Sequence, residues 1–133
     1  KNSFHFLNNF YKYSLFWFAY CSIFSIVIYF LNNFVILHIF NTYKISDQAQ
    51  ILQFLNAFLI SNFAFVGFFY QIIKRLKYNI ITAVIAAIIG FLGGYFLGFN
   101  YGIEGILIGM LFGLLAALSV SYLHIFKFIN KKI

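Results

Sequence analysis

Proline is absent from this chain, cysteine occurs once, and the only acidic residues are Asp47 and Glu104. The lone Cys21 excludes an internal disulfide and a cysteine-based metal cluster. Charged residues make up 8% of the 133 positions and hydrophobic residues 64%, whereas a soluble domain carries about 25% charge. Because so few charges cannot cover a globular surface in water, the composition predicts an integral membrane protein.

Four long apolar stretches divide the chain into five more hydrophilic segments. Each stretch reaches the roughly 20 residues that a helix needs to cross a hydrocarbon core. Backbone groups in lipid must be hydrogen-bonded within the segment, which favours helices. We therefore predict an all-α, polytopic membrane protein with four transmembrane helices, with spans at about 14–40, 49–73, 79–99 and 103–126.

The basic residues predict the orientation of these spans. Eight of the nine lie before the first span, between the second and third, or after the fourth, and only Lys44 falls on the other side. Cytoplasmic loops retain Lys and Arg, so both termini are expected in the cytoplasm. The net charge of +7 is then explained by anionic lipid head groups, and no nucleic-acid partner is expected.

Two segments at the ends of the first span allow alternatives. Residues 1–13 have helical spacing of apolar side chains that suits a short interfacial helix, or they form a frayed tail. The first span exceeds the usual length, and tilt can absorb the excess unless Asn32 and Asn33 mark a break.

Small residues recur at every fourth position in the last two spans. The third span carries Ala86, Gly90, Gly94 and Gly98, and the fourth carries Gly105, Gly109 and Gly113. Small residues at this spacing let two backbones approach closely in lipid. Because a short turn joins these spans, we expect a tightly packed antiparallel hairpin.

Polar side chains share one face of each of the first two spans. Ser25 and Asn32 lie on one such face, and Gln53 and Asn56 on the other. Polar groups inside a membrane avoid lipid, so these four are candidates to face a cavity. The alternative is that they form hydrogen bonds between helices.

Residue patterns for catalysis are lacking. The three histidines are far apart in the sequence, and there is no HExxH pair, phosphate-binding glycine loop or nucleophile elbow. We therefore predict no enzyme activity and no catalytic, cofactor-binding or metal-binding residues. Glu104 falls at the mouth of the fourth span, where it can favour the positive end of that helix or contact a ligand.

The order of these elements resembles a family of membrane carriers. An outer loop enters the polar-faced helix at 47–53, a basic inner loop follows at 74–78, and the turn Tyr101-Gly102-Ile103-Glu104-Gly105 joins the glycine-spaced helices. This succession resembles the last third of the O-antigen and capsular polysaccharide flippases, in the multidrug/oligosaccharidyl-lipid/polysaccharide exporter superfamily. Their closing helices commonly join through a Tyr-Gly-(hydrophobic)-x-Gly turn.

The resemblance implies membrane transport within polysaccharide biosynthesis. Such flippases have two lobes around a polar, often cationic cavity that moves a lipid-linked oligosaccharide outward. The chain, 1–133, would be a single transmembrane bundle at the C-terminal end of a larger one in a bacterial inner membrane. Its partners would be membrane lipid, the remaining transmembrane helices and the lipid-linked glycan.

Two other hypotheses remain from the residues themselves. Enrichment in Phe, Tyr, Asn and Ile also suits a non-catalytic accessory subunit of a larger membrane complex, including one in an organellar inner membrane. A compact four-span exporter acting as a dimer is the third hypothesis. It would require a carboxylate within the membrane, and the two acids lie at the outer edge.

Overall fold

The computed structural model describes residues 9–38 and 46–130, which form three helices. These are α1 (Phe10–His38), α2 (Asp47–Ile72) and α3 (Leu76–Asn130). All three are long and apolar enough to cross a membrane. The predicted all-helical fold is thus confirmed for this part of the chain. The interfacial helix predicted within 1–13, most of the first outer loop with Lys44, and Lys131 and Lys132 lie largely or wholly outside it.

The first helix starts earlier than the sequence predicts and is continuous. α1 begins at Phe10, whose buried ring packs 4.4 Å from the Phe69 ring of α2, centroid to centroid. The helical backbone continues through Asn32 and Asn33 to His38, so a break at the asparagine pair is wrong. At about 1.5 Å per residue, α1 is longer than the roughly 30 Å hydrocarbon core, which requires tilt or protruding ends.

Local hydrogen bonds define both ends of α2. The Ser46 hydroxyl accepts a 3.1 Å hydrogen bond from the Ala49 amide, and Asp47 occupies the negatively charged first turn that the helix dipole favours. At the other end Lys74 has φ 56°, and the Arg75 amide donates to the Tyr70 carbonyl at 2.9 Å. This left-handed closure satisfies the terminal carbonyls and turns the chain into α3.

The third helix contains the segments that the sequence predicts as two spans, 79–99 and 103–126. Its backbone leaves helical geometry only at Gly102, with φ 59° and ψ −135°. Glycine adopts that conformation readily because it has no Cβ, whereas other residues rarely do. We call 76–101 the first arm and 103–130 the second arm.

The two arms lie side by side and antiparallel. A Cβ added to Gly93 would lie 3.1 Å from the Gly109 Cα, and one added to Gly113 would lie 2.8 Å from the Gly90 Cα. Positions farther from Gly102 on one arm meet positions farther from it on the other. The chain therefore reverses at Gly102, and small residues keep the backbones in direct contact.

Most of the buried core lies between α2 and α3, towards the basic turn at 74–77 where these two helices join. Its members are the first residue of α1, three residues of α2 and three of the second arm: Phe10, Val66, Phe69, Tyr70, Leu118, Ile125 and Ile129. α1 packs mainly against α2. Of the most apolar part of α1, within residues 10–32, 6% is buried, compared with 22% for α2, so most of that part is exposed.

Candidate functional site: a polar cleft between the first two helices

A cleft of about 170 Å³ lies between α1 and α2. Its lining includes three of the four side chains that the sequence predicts to face a cavity, namely Ser25, Asn32 and Gln53. Gln50 and Tyr29 add further polar atoms. The structure therefore brings these polar groups of two helices together within the apolar bundle.

Helical periodicity explains why these side chains meet. The α1 lining residues are at 25, 28, 29 and 32, and those of α2 are at 50, 53, 54 and 57. Residues three and four apart share one face of a helix, so each set forms a single stripe. Apolar Phe54 anchors the contact, since its ring meets Tyr29 edge-on at 6.0 Å between centroids.

The chemistry of the cleft is neutral and hydrogen-bonding. It offers a hydroxyl from Ser25, carboxamides from Asn32, Gln50 and Gln53, and the phenol of Tyr29. Ser25 and Gln50 are buried, whereas Asn32 and Gln53 are exposed. Amides and hydroxyls beside an aromatic ring suit a neutral ligand rich in hydroxyl groups. The residues that line the cleft include no carboxylate or imidazole that could act as an acid or a base.

Asn56, the fourth predicted side chain, lies outside the cleft lining. It is buried, and its Nδ2 donates a 2.9 Å hydrogen bond to the Leu107 carbonyl of α3. Its Oδ1 is buried without a hydrogen-bond partner. Asn56 thus has a hydrogen bond to a neighbouring helix, the alternative interpretation of the polar face.

The predicted packing residues lie along the contact between the arms of α3, in varying degrees of closeness. Gly105, Gly109 and Gly113 meet the backbone of the first arm most closely, whereas a Cβ on Gly90 or Gly94 would lie 3.6 Å from its nearest neighbour, an ordinary van der Waals contact. Gly93, which the four-residue spacing omits, approaches Gly109 more closely than Gly90 does. The adjacent pair at 93 and 94 was the sequence signal for it.

The two acidic residues lie near the start of α2. Ser46 Oγ donates a 2.5 Å hydrogen bond to Glu104 Oε1, so the reversal of α3 is tied to the residue that caps α2. Asp47 is the next residue along the chain. Glu104 thus contacts the start of α2 through Ser46.

A cluster of aromatic and polar side chains lies at the other end of the helices, near the turn that joins α2 and α3, and the sequence did not predict it. His124 stacks on Tyr78 at 3.8 Å between ring centroids, and its Nδ1 lies 3.4 Å from the Tyr70 hydroxyl. Ser14 and Tyr122 share a 2.8 Å hydrogen bond between α1 and α3. Sequence periodicity could not find these pairs because their members are 46 to 108 positions apart.

Metal ligation has no support in the described ranges. No group of three His, Cys, Asp or Glu side chains there could hold an ion. His38 bonds the Phe34 carbonyl of its own helix through Nδ1 at 3.0 Å, and His124 belongs to the aromatic cluster. The two imidazoles occupy different surroundings and serve local packing.

No known protein family, curated protein or solved structure matches this chain.

Proposed function

We propose that this chain forms part of a flippase-type carrier of lipid-linked oligosaccharide, with the polar cleft contributing to the wall of its pathway. The observation that carries this proposal is the cleft itself. Ser25, Gln50 and Gln53 lie within helices that are otherwise strongly apolar. Polar groups at such positions need water, ligand or further helices as neighbours, since lipid chains cannot satisfy them.

The chemistry of the cleft supports a glycan as the ligand. Carboxamides both donate and accept hydrogen bonds, as sugar hydroxyls do, and Tyr29 adds an aromatic surface. The volume of about 170 Å³ is below the roughly 300–1,000 Å³ typical of a complete small-molecule pocket. The cleft therefore suits one wall of a larger pathway, completed by further transmembrane helices.

In this proposal the chain crosses a bacterial inner membrane four times, with both ends in the cytoplasm. Each arm of α3 measures about 40 Å at 1.5 Å per residue, enough to cross the hydrocarbon core. The arms reverse at Gly102, beside Glu104, and the basic turn Lys74–Lys77 lies at the other end. This arrangement is supported by the sequence, since eight of the nine basic residues would share one side if each predicted span crosses once.

Cysteine accessibility tests the pathway directly. On a Cys21→Ala background, Ser25→Cys and Gln53→Cys should react with a hydrophilic thiol reagent in membranes. Ile23→Cys is the matched control, because Ile23 lies two residues from Ser25 and is 66% exposed among apolar neighbours. Added lipid-linked oligosaccharide should slow labelling at the two cleft positions. Equal labelling at all three positions, or no protection by the glycan, would contradict the proposal.

A non-catalytic accessory subunit is the second candidate. The outward apolar face of α1 favours it, since this helix has so little buried surface of its own. An accessory subunit would co-purify stoichiometrically with partner subunits in detergent and would show no glycan protection. In contrast, the carrier would show protection whether its remaining helices belong to the same chain or to another.

A further inference from the structure

The turn between α2 and α3 concentrates positive charge at the edge of the helices. Lys74, Arg75 and Lys77 line an open pocket of about 540 Å³ together with Leu76 and Tyr78. We call this the basic pocket. It is roomy enough for several water molecules or for one phosphate group, since a water needs about 30 Å³.

Aromatic rings position the guanidinium of Arg75. Its Cζ lies 4.7 Å from the centroid of Phe128 and 5.9 Å from that of Tyr78. Cation–π contacts of this kind use the face of the ring and leave the N–H edges of the guanidinium for other partners. Phe128 comes from the second arm of α3, so Lys127 beside it adds to the positive charge at this end.

The acidic side chains of the protein lie too far away to neutralise this charge. Asp47 starts α2, and Glu104 follows the reversal of α3. Each is separated from the basic turn by about 40 Å of helix, at 1.5 Å per residue. Salt screens exposed charges beyond about 10 Å, so Asp47 and Glu104 leave the basic pocket available for an anion from outside the chain.

A lysine occupies position 74 although the backbone conformation there favours glycine. Its φ of 56° lies in the left-handed region, where helix ends usually carry glycine. A residue with a Cβ is less favourable there than glycine. A basic side chain thus stands at a position where glycine is usual.

We propose that the basic pocket binds the phosphate of an anionic membrane lipid. Arg75 would donate paired hydrogen bonds to the phosphate oxygens, with Lys74 and Lys77 supplying charge. Lipid is favoured over a soluble phosphate by the surroundings, since Leu76 beside the pocket is 53% exposed and both adjoining helices are apolar enough to lie in a membrane. The proposal is independent of the transport function.

Native mass spectrometry of the purified full chain in neutral detergent tests this site. Phosphatidylglycerol should bind more tightly than phosphatidylcholine, and added salt should weaken it. Arg75→Gln and Lys77→Gln should each reduce its affinity about fivefold, the factor that corresponds to about 1 kcal/mol per basic residue near a lipid surface. Lys12→Gln is the matched control, because it removes one exposed charge of α1 that is not part of the pocket lining.

Lys74→Gly separates a loss of binding from a loss of folding. It removes a charge from the basic pocket and at the same time relieves the left-handed strain of the backbone. It should bind the anionic lipid more weakly and unfold at an unchanged or higher temperature. Equal weakening by Lys12→Gln would show diffuse attraction and overturn the site. Equal binding of phosphatidylcholine, or displacement of the lipid by inorganic phosphate at the same concentration, would also overturn it.

Discussion

Ser46 Oγ donates a 2.5 Å hydrogen bond to Glu104 Oε1 while it accepts one from the Ala49 amide. A single hydroxyl therefore caps α2 and joins it to the reversal of α3, 58 residues later. The pair therefore connects the start of α2 with the beginning of the second arm of α3.

The cap and its carboxylate partner are expected to stabilise the fold together. Ser46→Ala should lower the free energy of unfolding by about 1 kcal/mol, because the first turn of α2 loses its acceptor. Glu104→Ala should cost about 1.5 kcal/mol through loss of a hydrogen bond to a charged group. Denaturation in detergent of the two single variants and the double variant should show a smaller loss in the double than the sum of the singles. Simple additivity would mean that the two groups do not interact.

The contact between the arms of α3 should be sensitive to a single methyl group. Gly109→Ala would place its Cβ against the backbone of Gly93 and Gly94, and forcing backbones apart should destabilise by about 1–3 kcal/mol. Gly90→Ala is the matched control, because its Cβ would lie in ordinary van der Waals contact, 3.6 Å from the Met110 Cα, and alanine favours helix. Thermal unfolding in detergent should separate the two variants. A loss at Gly90 as large as at Gly109 would contradict the described packing.

The reversal of α3 should depend on backbone conformation at Gly102. Gly102→Ala should cost about 1 kcal/mol or more, because φ 59° is unfavourable for a residue with a Cβ. No atom lies within 4 Å of the added methyl group, so a clash with neighbours is not the cause. Asn100→Ala, two positions away on the same turn, is the control and should change stability little. Unfolding midpoints of both variants check this.

Gln53 and Asn56 should differ in what their substitution changes. Asn56→Leu removes the hydrogen bond to Leu107 and should lower stability by about 1 kcal/mol without a direct effect on ligand in the cleft. Gln53→Leu changes an exposed cleft residue and should leave stability nearly unchanged while it weakens glycan protection. The free energy of unfolding is measured for both variants. Protection of Ser25→Cys from labelling is then measured with each substitution added. The opposite pattern would place the binding surface between α2 and α3.

The polar face of α2 shows the limit of sequence periodicity. Gln53 and Asn56 are three residues apart and fall on neighbouring parts of the helical wheel. α2 nevertheless packs against α1 on one side and α3 on the other, so Gln53 lines the cleft and Asn56 bonds to α3. Gln50 joined the cleft for the same reason. Which neighbour a polar side chain meets depends on helix arrangement, and no local pattern contains that information.

The glycine pattern was more informative, because close packing in lipid depends on small residues at regular spacing. The sequence by itself determined the membrane character, the helical structure and the concentration of charge at the basic turn. Only the tertiary structure decided that Gly102 is the point of reversal, that Glu104 reaches Ser46 and that His124 stacks on Tyr78. The physical reason is that lipid chains are as apolar as the side chains of these helices. Hydrophobicity therefore determines which segments suit a lipid environment, whereas close packing and hydrogen bonds determine which helices contact one another.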